Sequence, residues 1–240
     1  MDTYIIIFMA VLPVAILLYY IYSKDKNSPE PTTELLKAFT LGILSIPLSF
    51  CISIPFGVIG LYNNEVTNIF DSIRLSFFGA AIPEEVAKFF ILWLVLRKNR
   101  FFDEKMDGIV YAVCVSLGFA AVENIMYLFS NIDTFLAVGV SRAIFSVPGH
   151  FCFGILMGYY YSLAKFYPHS PKLNKALILI APILVHGIYD SILFSINVTT
   201  TISGILTIVF IVFCVKMWKY ASKRIQEHLQ SDLCTEDLTP

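Results

Sequence analysis

The sequence predicts an all-α membrane protein, a polytopic bundle of about seven transmembrane helices. Of its 240 residues, 57% are hydrophobic and only 15% are charged, whereas soluble domains carry about 25% charged residues. Crossing the apolar core of a bilayer takes about 20 helical residues. Seven apolar stretches reach that length, at approximately 4–22, 34–60, 70–96, 107–130, 135–164, 173–196 and 201–221.

The segments between these stretches are too short to fold as separate domains. We therefore expect one transmembrane domain over residues 1–221 and a polar tail over 222–240, helical at first and then frayed. The first stretch lacks the basic region and the cleavage site of a signal peptide, so we expect it to be retained. The fifth stretch contains Pro148-Gly149, which predicts a kink or a re-entrant start.

Lysine and arginine residues occupy alternate connections, and this alternation predicts the orientation of the chain. They cluster around residues 24–37, 97–105, 165–175 and 216–224, and are absent from 61–69, 131–134 and 197–201. Because basic connections stay in the cytoplasm, we expect the N-terminus outside and the C-terminus in the cytoplasm. His169 and His228 then fall in cytoplasmic segments, where we expect them to be solvated.

The net charge argues against a nucleic-acid partner, and the cysteine spacing argues against a cysteine metal site or a disulfide framework. The net charge of −1 disfavours a nucleic-acid partner, which requires a basic face. The apolar spans make membrane lipid the expected surrounding. The five cysteines form no CxxC or other metal-ligand spacing. We interpret them as small core residues and expect no disulfide framework.

Several polar residues lie inside the apolar stretches, although an ionisable group at the bilayer centre costs about 2.5–3.5 kcal/mol. They are Glu84, Glu85, Lys88, Glu123, Asn124, Arg142, His150, His186 and Asp190. At 1.5 Å per residue, four of them lie roughly 16–27 Å from the basic end of their own stretch: Glu84, Glu123, His150 and His186. This common depth predicts one shared site, displaced toward the outside of the membrane.

Local spacing predicts how some of these side chains pair. His186 and Asp190 are four residues apart, so the carboxylate can set the tautomer of the imidazole. Lys88 lies one turn after Glu84 and is expected to be a charge partner. Glu84 and Glu85 are about 100° apart around a helix, so we expect one to face the site. The other would pair with a cation or a backbone donor.

Two residues near the outer end of the layer leave their roles open. Arg142 either orients groups of the site or reaches out to the membrane surface. Asn124 carries an amide donor that can stabilise an oxyanion. Pro83 leaves a carbonyl without its helical partner, which predicts an opening beside a water-filled cavity.

Carboxylates and histidines in an enclosed, hydrated pocket suit the activation of water for hydrolysis. A buried carboxylate can take a proton from water and later transfer it to a leaving amine. Alternatively, a zinc ion with an open position for water would be held by ligands from the set Glu84, Glu123, His150 and His186. No HExxH is present. The residues leave the metal-free glutamate mechanism and the zinc mechanism both open.

Three short motifs resemble those of the PrsW family of intramembrane proteases. Residues 83–88, PEEVAK, resemble its EExxK motif; residues 119–124, FAAVEN, its FxxxE; and residues 186–190, HGIYD, its HxxxD. The stretch 142–160 is also similar, and the resemblance covers about 70–220. It implies a catalytic core at about 70–197 with the fold of CAAX-type proteases.

The resemblance also implies roles for individual residues. Glu84 would be the base that activates water, and His186 its partner. Glu85, Glu123, His150 and Asp190 would complete the catalytic set. The wider group of CAAX-type prenyl endopeptidases and bacteriocin-immunity proteins carries EExxxR, FxxxH and HxxxN. Here the lysine comes one position earlier, and Glu123 and Asp190 replace the histidine and the asparagine, which favours the PrsW family.

The activity implied by the resemblance is the first, extracytoplasmic cut in a membrane-anchored anti-sigma factor of a bacterial cell membrane. The partner would be a single-span membrane protein, and the outward depth of the polar layer agrees. One alternative is a proton-coupled transporter, although no repeated half or paired broken helices are present. Others are a prenyl-protein endopeptidase, which would cut at the cytoplasmic face, and a non-catalytic immunity or scaffold protein.

Overall fold

The structure is a computed structural model that describes residues 2–26, 28–167 and 171–236. Within these residues the chain is helical and contains no strand. The α-helices are α1 (Asp2–Lys24), α2 (Thr32–Ile43), α3 (Ser45–Val58), α4 (Ile69–Arg74), α5 (Ile82–Leu96), α6 (Lys105–Ser130), α7 (Phe135–Ser141), α8 (Val147–Phe166), α9 (Pro171–Val198) and α10 (Ser203–Glu236). Two π-helices, π1 (Leu75–Ala81) and π2 (Arg142–Ser146), and a 3₁₀ turn (Ile132–Thr134) complete the set.

Six helical runs of the described chain are long and apolar enough to cross a membrane. They are Thr3–Lys24, Thr32–Val58, Lys105–Ser130, Ile132–Phe166, Lys172–Val198 and Ser203–Cys234. The other predicted stretch, 70–96, is also helical throughout, as α4, π1 and α5. It differs from the other six predicted stretches in that it carries more charged residues, including Glu84, Glu85 and Lys88. The prediction of an all-α, multi-pass membrane bundle is confirmed.

Helix α6 is the centre of the bundle and packs most extensively against α8 and α2. Its residues 106–121 are buried without interruption. Small residues allow this close approach, as at many membrane helix interfaces. A Cβ atom on Gly158 of α8 would overlap the carbonyl oxygen of Gly108, and one on Gly42 of α2 would overlap that of Val115.

Each π-helix lies directly before a proline-containing part of the candidate site. π1 ends at Ala81, two residues before Pro83, and π2 ends at Ser146, two residues before Pro148. The wider turn of a π-helix is frequent at functional sites. Helical structure is continuous from Phe135 to Phe166. The expected re-entrant start at Pro148-Gly149 is therefore wrong, because π2 joins α7 to α8 without a break.

The segment predicted as a frayed tail continues α10 as far as Glu236 and packs against the rest of the bundle. The carboxylate of Asp232 accepts hydrogen bonds from the backbone N–H groups of Lys105 (3.2 Å) and Met106 (2.9 Å), at the start of α6. His228 is buried, so the expectation that it is solvated is wrong. His169 and residues 237–240 lie outside the described residues.

Candidate active site

Five helical elements bring the predicted site residues together inside the bundle. Helix α5 supplies Glu84, Glu85 and Lys88, and α6 supplies Glu123 and Asn124; the others are Arg142 of π2, His150 of α8, and His186 and Asp190 of α9. Hydrogen bonds and ion pairs connect all nine side chains into one network. The residues that the sequence places at a common depth are therefore part of one connected network.

Lys88 lies at the centre of the network and is almost completely buried. Its Nζ atom is 3.2 Å from Glu84 Oε2, 2.9 Å from Glu85 Oε1 and 3.1 Å from His150 Nδ1. An ammonium group has three hydrogens, and each has one of these acceptors. Both glutamates pair with Lys88, because positions three and four residues before Lys88 both border its face of the helix.

His150 bridges Lys88 and Glu123. Its Nε2 atom is 2.8 Å from Glu123 Oε2, while Nδ1 faces the ammonium of Lys88. Because an ammonium group only donates hydrogen bonds, Nδ1 must be the acceptor. The proton of the neutral ring is therefore on Nε2, where it is donated to Glu123.

His186 is held between two carboxylates. Its Nδ1 atom is 2.9 Å from Glu85 Oε1, and its Nε2 atom is 3.2 Å from Asp190 Oδ2. The predicted pairing with Asp190 is present, and Glu85 is a second partner. A neutral imidazole donates from only one nitrogen. Nδ1 is hydrogen-bonded to Glu85, and Nε2 forms an ion pair with Asp190 when the ring is protonated.

Arg142 and Asn124 support Glu123. Arg142 Nη2 donates to Glu123 Oε2 (2.6 Å), and Arg142 Nε donates to Asn124 Oδ1 (2.6 Å). Arg142 is buried, so it belongs to the network and does not reach to the membrane surface. The amide nitrogen of Asn124 donates to the carbonyl of Ala10 on α1 (2.8 Å). Asn124 thus accepts from Arg142 and uses one of its two N–H donors on Ala10, so its oxyanion role stays a prediction.

The four carboxylates of the network differ in how much of each side chain is exposed. The side chain of Glu85 is 0% exposed, whereas Glu84 is 13%, Glu123 18% and Asp190 13% exposed. Glu85 is thus enclosed between Lys88 and His186. The three more exposed carboxylates are the ones that a water molecule or a peptide bond can reach.

The donor set fits a divalent metal ion. One ligand atom each from Glu84, Glu85 and His150 lie within 4.8 Å of one another, and Glu85 Oε2 is buried without a hydrogen-bond partner. Carboxylate and imidazole are ordinary zinc ligands. Lys88 Nζ lies between the same three groups and would have to move. Of the four ligands predicted from sequence, Glu123 and His186 instead contact His150 and Glu85.

Sequence reasoning named Phe119 only as the first residue of the FxxxE motif and did not predict the aromatic and hydroxyl contacts around the network. The Phe119 ring lies 4.1 Å from Lys88 Nζ, and the Phe153 ring stacks on His186 with centroids 4.5 Å apart. Ser116 Oγ donates to the carbonyl of His150 (2.7 Å). Ser116 and Phe119 precede Glu123 by seven and four residues. This helical spacing places all three on one face and is the signal that could have identified two of them.

Comparison with known proteins identifies the family. Residues 30–217 match the family model described as PrsW family intramembrane metalloprotease. The chain is 35% identical to Protease PrsW of Clostridioides difficile, over 92% of this chain and 90% of that protein. It is 37% identical to Protease PrsW of Oceanobacillus iheyensis, over 90% and 92% of the two chains, and 36% identical to that of Bacillus subtilis, over 78% and 82%. No solved structure matches this chain.

The match covers most of the chain and includes every residue of the network. Membership in a peptidase family decides against the proton-coupled transporter that the sequence alone left open. The resemblance seen in three short motifs is thereby confirmed over a much longer part of the sequence. The chain is a multi-pass membrane peptidase and belongs to the PrsW family of intramembrane metalloproteases.

Proposed function

We propose that this peptidase uses Glu84 to activate the water that cleaves a membrane-anchored anti-sigma factor. The observation that supports Glu84 is the difference between the two adjacent glutamates. Glu85 is fully enclosed and holds both Lys88 and His186, whereas Glu84 is partly exposed and has one partner, Lys88. Glu84 is therefore the carboxylate of this pair that can contact a water molecule.

In the metal-free version of the site, Glu84 takes one proton from water while the water oxygen attacks the carbonyl carbon of the scissile bond. The same proton is then transferred from Glu84 to the leaving amine nitrogen as the C–N bond breaks. The positive charges of Lys88 and Arg142 stabilise the negative charge that develops on the carbonyl oxygen. Glu123 and Asp190 keep the two histidines in position.

In the metal-dependent version, Glu84, Glu85 and His150 would hold a single zinc ion. Such an ion lowers the pKa of a bound water and polarises a carbonyl. Glu123 then fixes the ring of His150, and His186 fixes the carboxylate of Glu85, as partners of metal ligands usually do. The four carboxylates of the network face only two permanent cations, Lys88 and Arg142, and this excess of negative charge suits a divalent ion. The metal content of purified protein distinguishes the two versions.

The proposed membrane setting follows from the distribution of basic residues. We propose a bacterial cell membrane, with the N-terminus outside and the C-terminus in the cytoplasm. Residues 1–221 would be the transmembrane domain, 70–197 its catalytic core and 222–240 a cytoplasmic segment. The network lies far from the basic ends of its helices, so the cut would fall on the extracytoplasmic side of a single-span substrate. The anti-sigma factor is inferred from the family resemblance.

The test compares wild type with Glu84→Gln at equal expression and maps new protein N-termini in membrane and extracytoplasmic fractions. We expect new termini just outside single membrane spans in cells with the wild type only. Asp133→Asn, a change of an exposed residue remote from the network, is the control and should match the wild type. Identical termini in wild type and Glu84→Gln would contradict the assignment of Glu84.

A further inference from the structure

A second group of acidic residues surrounds the start of α6, at the opposite end of that helix from Glu123. Its members are Asp25 and Glu30 of the α1–α2 connection, Asp103 and Glu104 of the α5–α6 connection, and Asp107 of α6. Asp107 precedes Glu123 by sixteen residues, which is roughly 24 Å along the helix. This acidic group is therefore separate from the candidate active site.

The carboxylates of this group lie close enough to share an ion. One oxygen each from Asp25, Glu104 and Asp107 lie within 4.8 Å of one another, and the same holds for Glu30, Asp103 and Asp107. Oxygen ligands of Ca²⁺ lie about 2.3–2.6 Å from the ion. Two ligands of one ion are thus at most about 5 Å apart, which these distances satisfy.

Three members of the group are buried without a cation in ion-pair contact. Asp25 is 3% exposed, Glu30 is 5% exposed and Asp107 is 1% exposed. Among the described residues, none of these three forms an ion pair. Of the nearby lysines, Lys105 pairs with Asp232. Lys165 donates to the carbonyl of Phe102, and its charge acts on Asp107, Asp103 and Glu30 only from beyond ion-pair distance. Buried carboxylates are normally paired or bound to a metal.

Helix capping accounts for only part of this arrangement. Asp107 Oδ2 accepts hydrogen bonds from the backbone N–H groups of Asp103 (3.0 Å) and Glu104 (2.7 Å). Asp25 Oδ2 and Asp107 Oδ1 are buried and receive no hydrogen bond from an N–H or hydroxyl donor, although the carboxyl groups of Asp107 and Glu30 interact directly. Burial also raises the pKa of Asp25 to about 6 and that of Glu30 to about 7, because a carboxylate loses its hydration there. The Asp25 oxygen is thus a buried acceptor of the group that no donor satisfies.

A small cavity lies beside Asp25. Its volume is about 20 Å³, and its polar lining consists of Asp25, Ser28, Glu104 and Asp232. A space of about 10–15 Å³ is enough for a single water molecule, and a divalent ion is of similar size. The cavity and the unsatisfied oxygen of Asp25 both point to a bound cation.

We propose that Asp25, Glu104 and Asp107, with Glu30 and Asp103 beside them, bind one hard divalent cation, Mg²⁺ or Ca²⁺. The ligands are all oxygen atoms, which these two ions prefer and zinc does not require. The ion would join the α1–α2 connection and the α5–α6 connection to the first turn of α6. It would thereby fix the start of the helix that carries Glu123 at its other end.

The first experiment measures thermal stability of the purified full chain in detergent after removal of metals with a chelator. Ca²⁺ or Mg²⁺ should raise the Tm saturably, by about 5–10 °C at about 100 times the dissociation constant. Na⁺ at equal ionic strength should not. In Asp25→Asn the rise should disappear, while the Tm without cation should be at least that of the wild type because a like charge has been removed.

Asp133→Asn, the matched change of an exposed aspartate, should retain the full rise in Tm. If Asp25→Asn does not fold, Glu30→Gln is measured in its place with the same expectation. No saturable rise in the wild type, or an equal rise in Asp25→Asn, would overturn the proposal. The concentrations at which Ca²⁺ and Mg²⁺ reach half of their effect identify which ion the site prefers.

Binding of Mn²⁺, followed by the electron paramagnetic resonance of the free ion, counts the sites directly. The protein carries Glu84→Gln, so that a metal at the candidate active site is disfavoured. We expect one Mn²⁺ per chain in this variant and none when Asp25→Asn is added, with competition by Ca²⁺ or Mg²⁺. No bound Mn²⁺ in Glu84→Gln, or the same amount in both variants, would contradict the site. Neither result depends on peptidase activity.

Discussion

Lys88 is a buried cation of the network whose hydrogen-bond donors are all used. Its side chain is 1% exposed, and all three hydrogens of its ammonium group have acceptors. A buried charge is tolerated only when its hydrogen bonds and counter-charges are complete. We therefore infer that Lys88 stabilises the two glutamates as their charge partner and does not act as a base.

Replacement of Lys88 by methionine should destabilise the protein strongly. Removing one partner of a buried ion pair costs about 3–5 kcal/mol. We expect Lys88→Met to lower the Tm of the detergent-solubilised protein by roughly 10 °C or more. Lys37→Met is the control, because Lys37 is 57% exposed in its pair with Glu34 and such pairs contribute under about 1 kcal/mol.

Glu85→Gln added to Lys88→Met should restore part of this loss, because it removes the carboxylate that has lost its cation. Equal Tm values in the single and the double variant would show that the loss comes from packing and not from the unpaired charge. A normal Tm in Lys88→Met without peptidase activity would instead give Lys88 a catalytic role.

The two adjacent glutamates should separate activity from stability. Glu84→Gln removes the proposed base and should lower cleavage by about 10²–10⁴-fold without a change in Tm. Glu85→Gln should lower the Tm as well, because Glu85 is fully buried and holds both Lys88 and His186. The measurements are the yield of wild-type-dependent N-termini and the Tm.

Glu65→Gln, the same change at an exposed position, should affect neither cleavage nor Tm. The reverse result, with Glu84→Gln unstable and Glu85→Gln stable but inactive, would exchange the roles of the two glutamates. Sequence spacing alone left these roles open, because both residues border the same turn of α5.

At the scale of the elements, two π-helices set which side chains face the site. A residue added to a helical turn rotates all later residues by about 100°. Without π1, the face of α5 that carries Glu84, Glu85 and Lys88 would point elsewhere. The same holds for His150, which follows π2. Apolar periodicity predicts a helix through these segments, but it does not reveal a single extra residue in one turn.

The interface between α6 and α8 depends on Gly158, and Gly158→Ala should disrupt it. A Cβ atom there would overlap the backbone of Gly108, and overpacking of this kind costs about 1–3 kcal/mol. We expect a Tm lower by roughly 3–10 °C and reduced cleavage, because α8 also carries His150. Gly204→Ala is the control, since no atom lies within 4 Å of a Cβ at Gly204. Equal Tm values in the two variants would show that the interface can relax.

At the scale of the whole molecule, the proposed orientation makes a separate prediction. Single cysteines replace Glu65 and Lys98, both exposed, in a chain whose five cysteines are changed to serine. A membrane-impermeant maleimide should label Glu65→Cys on intact cells and Lys98→Cys only after permeabilisation. The opposite pattern would place the network nearer the cytoplasmic side and would contradict an extracytoplasmic cut.

Much of the architecture follows from sequence because the properties involved are local. Each apolar stretch is long enough to cross a bilayer by itself, and each polar residue has a depth that its own helix defines. The shared depth of Glu84, Glu123, His150 and His186 was therefore predictable before any contact was known. The three short motifs added the family, which the longer match then confirmed.

Other features depend on pairs of residues far apart in the chain. Asn124 donates to Ala10, 114 positions away, and this contact fixes the amide whose oxygen accepts from Arg142. Asp232 reaches the start of α6, 126 positions away, so a predicted tail proves to be part of the packed bundle. The acidic group combines three separate segments and was not recognised, because none of them is unusual by itself.

The sequence by itself determined that this chain is a membrane bundle with one layer of ionisable groups, because hydrophobic length and depth are properties of single helices. Only the tertiary structure decided which carboxylate is enclosed, which histidine nitrogen carries the proton and which acidic segments share a cavity. Those outcomes depend on the rotation of each helix and on which helices are neighbours. Residue spacing along one chain contains neither quantity.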